Sequence, residues 1–147
     1  MQVQQMDNNF LIRLQRGEKV MESLLQFSKE TQLEGAILQG LGAVTEVTLG
    51  YFEWDKKEYR QKTFSEIFEM LSLLGNLTRV EGEHFWHLHA SLADSEYRSF
   101  GGHFFEATVT VTAELVVTPL PQPLIRSFDD TTRLNLWDLS RQQTEGE

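Results

Sequence analysis

Apolar positions in the first third of the chain repeat at two different periods. Phe10-Leu-Ile-Arg-Leu-Gln15 reads as a strand, and the stretch from Glu18 to about Gln32 then switches to helical spacing. Within it Val20, Leu24 and Phe27 fall at i, i+4 and i+7, while Met21 and Leu25 widen the stripe. Such a stripe is a core contact. Glu18 and Glu22 stand near its start, where the helix dipole favours negative charge.

After Gly35 the pattern turns to strands. Ala36-Ile-Leu-Gln39 opens the run, and Val44 to Phe52 alternates, with Val44, Glu46 and Thr48 on one face and Thr45, Val47 and Leu49 on the other. Asp55-Lys56-Lys57 makes a polar turn before a short polar strand from Glu58 to Lys62. Phe64 to Leu74 suits a helix as well as a strand, and Gly75-Asn76 reads as a turn. Glu83 to Leu92 and Tyr97 to Phe105 form a hairpin around the polar break Asp94-Ser95-Glu96. Ala107 to Thr118 is the clearest strand, β-branched and nearly uncharged, and Pro119, Pro121 and Pro123 end it. The tail has one alternating stretch at Leu134 and Leu136. One helix among many strands predicts an α+β fold: a single domain over residues 1–147, mainly antiparallel sheet, with its main helix near the N-terminus. Its core should span about residues 10–136, with 1–8 and 141–147 frayed.

Composition narrows the function. No stretch approaches the roughly eighteen apolar residues of a membrane span, and the first residues lack the basic and apolar regions of a signal peptide. With no cysteine there are neither disulfides nor thiolate ligands, so a cytoplasmic location is expected. The formal net charge is −9, and the basic residues are scattered, with Lys56-Lys57 their longest run. Phosphate neutralisation needs clustered Lys and Arg, so direct nucleic-acid binding is not expected, nor adhesion to an anionic membrane.

Candidate chemistry gathers at the histidines. All four lie between residues 84 and 103, with His87-Leu-His89 followed by Gly101-Gly-His103. An H-x-H pair on a strand puts both imidazoles on one face, and a returning strand would bring His103 beside them. Three imidazoles with an open position form a recurring zinc arrangement, and imidazole also suits nickel, copper and iron. The competing reading is a half-buried strand whose histidines only hydrogen-bond their neighbours. His84 is an odd number of residues from the pair and faces away. Gly101 and Gly102 would let the backbone pass close to another strand or a ligand. Glu106 and Glu69 are candidates to act as a base beside the metal, against a carboxylate that only orients a histidine or stands in solvent. Arg98 is a candidate for an anionic ligand, against a solvent-exposed ion pair. Gly40-x-Gly42 lacks the third glycine and the helix of a phosphate loop, Asn76-Leu-Thr78 matches a glycosylation sequon by chance, and the serines have no nucleophile motif.

Six pieces in order carry a resemblance. They are Gly40-Leu-Gly-Ala-Val44, Leu49-Gly-Tyr-Phe52, Phe68-Glu-Met-Leu-Ser-Leu73 with Gly75-Asn76, His87-Leu-His-Ala90, Gly101-Gly-His103, and Glu106 with Glu114. In that order they resemble the PPC domain, named for plants and prokaryotes, which stands alone in bacteria and archaea and follows AT-hooks in plant nuclear proteins. The match covers about residues 10 to 136. It implies an antiparallel α+β fold, a homotrimer and a zinc-type site on His87, His89 and His103. It also implies that Glu66-Ile-Phe-Glu-Met-Leu71 is a strand, a segment tied in plants to partner contacts. The family's association with DNA has no basis here, because this sequence has no AT-hook.

Two functions follow as expectations. One is a small cytoplasmic trimer that binds a small molecule at or near its metal, with catalysis left open. The other is a non-enzymatic oligomerisation or protein-interaction module, acting in transcriptional regulation through a partner, whose metal is structural.

Overall fold

The computed structural model describes residues 1–140. In chain order the elements are β1 (Gln2–Met6), β2 (Asn9–Gln15), α1 (Val20–Thr31), β3 (Ala36–Glu53), β4 (Glu58–Phe64), β5 (Phe68–Val80), β6 (Glu83–Ala93), β7 (Ser99–Pro119), β8 (Ile125–Asp129) and β9 (Leu134–Trp137). All nine strands join one sheet, antiparallel except for the pairing of β8 with β5. The expected α+β fold with one N-terminal helix is what forms.

Two long strands organise the sheet. β3 has 18 residues and β7 has 21, and each pairs with different neighbours along its length. β3 pairs with β5 and β7, while β6 pairs with the same β5 and β7, so four strands close a circuit of hydrogen bonding. Bulges let β3 bend through this circuit. One of them breaks the alternation expected from Val44 to Phe52. Glu46 takes a φ of 48°, the β3–β7 register shifts between Thr45 and Thr48, and Val44 and Val47 both end up buried.

The helix covers the inner face. Val20, Leu24 and Phe27 are buried, as the stripe predicts, among Leu38, Leu73, Leu88, Phe104 and Leu115. Burying each such side chain contributes roughly 1.5–3 kcal/mol. The opposite face keeps Leu11, Ile37, Leu41, Leu71 and Leu74 exposed.

Two expectations are corrected. Residues 2–6 do not fray, because β1 pairs with β2 from Gln2↔Arg13 to Met6↔Asn9. Gly75-Asn76 is no turn; it lies inside β5, where Gly75 pairs with Leu38 on one side and Leu88 on the other. A Cβ on Gly75 would run into the His87 carbonyl oxygen, so the glycine marks close strand approach. The segment before it is a strand from Phe68 onward, as the resemblance implies. The fraying expected of 141–147 lies outside the described residues. Among the described residues, no helix is long and apolar enough to cross a membrane.

Candidate metal centre

Trp86 decides which way the histidine pair points. Its indole is buried against α1, where the ring N–H donates to Ser28 Oγ at 2.9 Å and lies 3.2 Å from Leu24 O. Strand alternation then puts His87 and His89 on the outer face of β6. Across the ladder, His89 and His103 are direct partners. The three ring centroids are 5.1, 5.1 and 5.4 Å apart, and one ring nitrogen from each residue falls within 4.8 Å of the others. The bare sequence pattern left the gathering of these three side chains open; the fold brings them together.

The cluster is walled by aromatic rings, and two of its imidazoles are held neutral. His103 lies between Tyr59, 4.4 Å away by ring centroid, and Phe105, 4.8 Å away. Burial pushes the His87 and His103 imidazoles down to about 4, with the neighbouring histidines and Arg126 adding like charge. Burial also raises the Tyr59 phenol, against the pull of Arg126. Both imidazoles are therefore neutral at pH 7, the form that offers a lone pair to a metal.

One buried atom tests the fit. His103 Nδ1 has no hydrogen-bond partner. A buried polar nitrogen without a partner costs free energy, and a cation held among the three rings would satisfy it. Neutral imidazoles at this spacing suit zinc or another divalent transition metal, and His87, His89 and His103 would hold it.

The profile of the Plants and Prokaryotes Conserved (PCC) domain matches residues 1–121. The chain belongs to this family. The PCC-domain chain is also similar to a crystallised metal-containing protein from Archaeoglobus fulgidus, with 32% identity and a TM-score of 0.81 over 93% of this chain and 95% of that one. A Bacteroides thetaiotaomicron protein described as a candidate DNA-binding protein superposes with a TM-score of 0.92 at 27% identity, covering 95% of this chain and 98% of its own. The bifunctional protein GlmU of Synechococcus sp. (strain JA-3-3Ab) is 31% identical over 108 residues, 72% of this chain. This chain spans only 16% of that much longer protein.

Sequence reasoning missed Arg126, which lies beyond the residues matched to the PCC domain. It stands on β8, next to β5 in parallel, with Val80↔Arg126 in register. Its side chain is buried and donates to four neutral acceptors: Thr78 Oγ1 at 3.0 Å, Asn135 O at 2.9 Å, Asn76 Oδ1 at 2.9 Å and His87 Nδ1 at 3.2 Å. Asn76 also accepts from the Trp137 indole at 3.3 Å. No local spacing announces such a residue, because three of its four acceptors lie 39 to 50 positions away. Asn76 was visible only as a turn residue.

The remaining candidates lie elsewhere. Glu106 neither orients a histidine nor stands as a base at the metal; its carboxylate accepts the backbone N–H groups of Met21 and Glu22 at the start of α1. Glu69 is exposed and pairs with Ala93, four residues along β6 from His89, so it does not join the cluster. Arg98 is exposed at the hairpin turn and pairs with Asp94 at 2.8 Å and Glu96 at 3.3 Å, the ion-pair reading rather than the ligand reading. Gly101 and Gly102 serve strand packing: a Cβ on Gly101 would strike the Ala90 carbonyl, and one on Gly102 would lie 2.8 Å from the Gly50 carbonyl. His84 stands apart, 2.8 Å from Arg79 Nη1.

Proposed function

We propose that this PCC domain is a cytoplasmic homotrimer that binds one zinc-type divalent ion through His87, His89 and His103 and presents that ion to a small molecule. The observation that carries the reading is the convergence of three ring nitrogens, one from each histidine, within 4.8 Å, in a cluster where His103 Nδ1 is buried without a partner. The similar Archaeoglobus protein being metal-containing supports it. A bound ion would supply Lewis acidity. The chain's own residues do the rest: Trp86 fixes the outward direction of His87, Arg126 contacts its ring, and Tyr59 and Phe105 shield His103 from water.

The trimer rests on the outer face. Register places Leu11, Val116, Gln39, Leu74, His89 and His103 in one row across β2, β7, β3, β5, β6 and back to β7. Leu74 is 53% exposed and borders His89 directly. An apolar surface that runs into the histidine cluster is what a second copy of the chain would cover. Native mass spectrometry should find about three times the 17.0 kDa chain mass, and a monomer would end this part of the reading.

Elemental mass spectrometry of untagged protein tests the metal. About one zinc per chain in the wild type, lost in His89→Ala, is the expected result. A metal-free protein never exposed to chelator would overturn it.

The same apolar face favours a second reading: a non-enzymatic interaction module, acting in transcription through a partner, whose metal braces the β6–β7 hairpin. Under it, removing the metal lowers thermal stability and no small molecule binds.

A further inference from the structure

A hydrogen bond and an ion compete for the same imidazole. A neutral imidazole has one lone pair. Arg126 donates from Nη2 to His87 Nδ1, so Nδ1 carries that lone pair and the ring proton is on Nε2. An ion taken at Nδ1 uses the lone pair. An ion taken at Nε2 moves the proton to Nδ1, where it faces the arginine donor. Either way, metal binding leaves an N–H of a buried guanidinium without its acceptor, beside the ion.

The charge around the site makes the same demand. The four acceptors of Arg126 are all neutral, and among the described residues no carboxylate pairs with it. This is unusual in a chain with 22 acidic residues against 13 basic ones. Glu106 and Glu69, the acids nearest in expectation, are turned to the helix or spaced away along the strand. Three neutral ligands, a dication and a buried guanidinium leave a strongly positive centre. Where that charge meets the buried guanidinium it is costly without a counter-charge.

We propose that the metal-loaded site binds a small carboxylate, which sits at the ion's open position and accepts the N–H that Arg126 withdraws from His87. The proposal rests on the metal reading above and names the ligand class of that site. A carboxylate fits better than a bulkier or more highly charged anion: it balances the single arginine charge and matches the guanidinium's planar donors. The rings of Tyr59 and Phe105 beside His103, and Phe85, 5.5 Å from the guanidinium carbon, suit an organic body on that carboxylate.

Cobalt(II) in place of zinc makes the site visible. Acetate titrated into the cobalt-loaded protein should change its d–d absorption, and acetamide, the neutral isostere, should not at the same concentrations. Arg126→Met should weaken acetate binding about tenfold or more, the scale of one charge-assisted hydrogen bond, and Arg126→Lys should weaken it less. Equal response to acetate and acetamide in the wild type overturns the proposal even if the Met variant fails to fold. So does an acetate affinity unchanged in Arg126→Met. A protein that binds no cobalt overturns the metal reading itself, a failure seen before any acetate is added.

Discussion

Glu106 Oε1 accepts the backbone N–H of Met21 at 2.7 Å, across 85 positions of sequence. Its other oxygen takes the N–H of Glu22 at 3.2 Å. The residue at the helix N-cap, Lys19, has no side-chain cap, so a carboxylate from β7 satisfies the orphan donors in its place. Negative charge there also opposes the positive end of the helix dipole. Glu106→Ala should therefore destabilise the fold by about 1–2 kcal/mol, read by urea denaturation. Its metal content should match the wild type. A folded Glu106→Ala protein that had lost its metal would put this residue back at the site.

Gly75 allows β5 to approach β6 at the histidines. A methyl group there meets the backbone of His87, which cannot yield without moving the ring it carries. Gly75→Ala should cost about 1–3 kcal/mol as overpacking and weaken metal binding together with stability. Metal affinity measured at a temperature where circular dichroism shows the variant folded checks this. Wild-type affinity would mean that the strand pair can relax without disturbing His87.

The fold and the site were legible in the sequence to different depths. The helix stripe at Val20, Leu24 and Phe27 and the hairpin around Asp94 follow local periodicity, and both appear where expected. His87 and His89 share a face by the two-residue period, and the hairpin register then brings His103 opposite His89. What local patterns did not carry is long-range pairing. Gly75-Asn76 has turn composition but sits between two strands that need a glycine to come close. Arg126 lies on a five-residue strand whose only pairing with β5 is parallel, which no turn or alternation encodes. Glu106 follows His103 by three residues, an odd separation that does not share a strand face, and its carboxylate serves the helix.

Duplex DNA should bind this chain weakly or not at all. The net charge of −9 opposes phosphate, and Arg60 and Arg98 are each tied to acidic neighbours, Glu53 and the pair Asp94 and Glu96. Fluorescence anisotropy with a labelled duplex at about 50 mM salt, where electrostatic binding is strong, should show no saturable rise below micromolar protein. Tight binding that falls steeply with added salt would contradict the charge argument.

Acid should destabilise the metal-free protein earlier than its carboxylates alone would. The His87 and His103 imidazoles stand at about 4 in the fold, below the ordinary 6.5, because burial and their positive neighbours penalise the charged form. A depressed pKa means that the unfolded chain takes up these protons first. The stabilisation from the neutral rings is complete above about pH 6.5 and is lost as pH falls toward 4. The melting temperature of metal-free protein should thus begin to fall below about pH 6.5, before most carboxylates titrate. Replacing both rings, as in the His87→Gln/His103→Gln double variant, should flatten that limb while leaving the steeper acid limb below about pH 4.5. Because the three rings interact, the limb will report the cluster as a unit rather than one histidine. Metal-loaded protein should hold its melting temperature further into acid and then lose its ion as protons displace it. A metal-free melting temperature that stays level from pH 7 to about 5 would show that these rings are not held neutral by the fold.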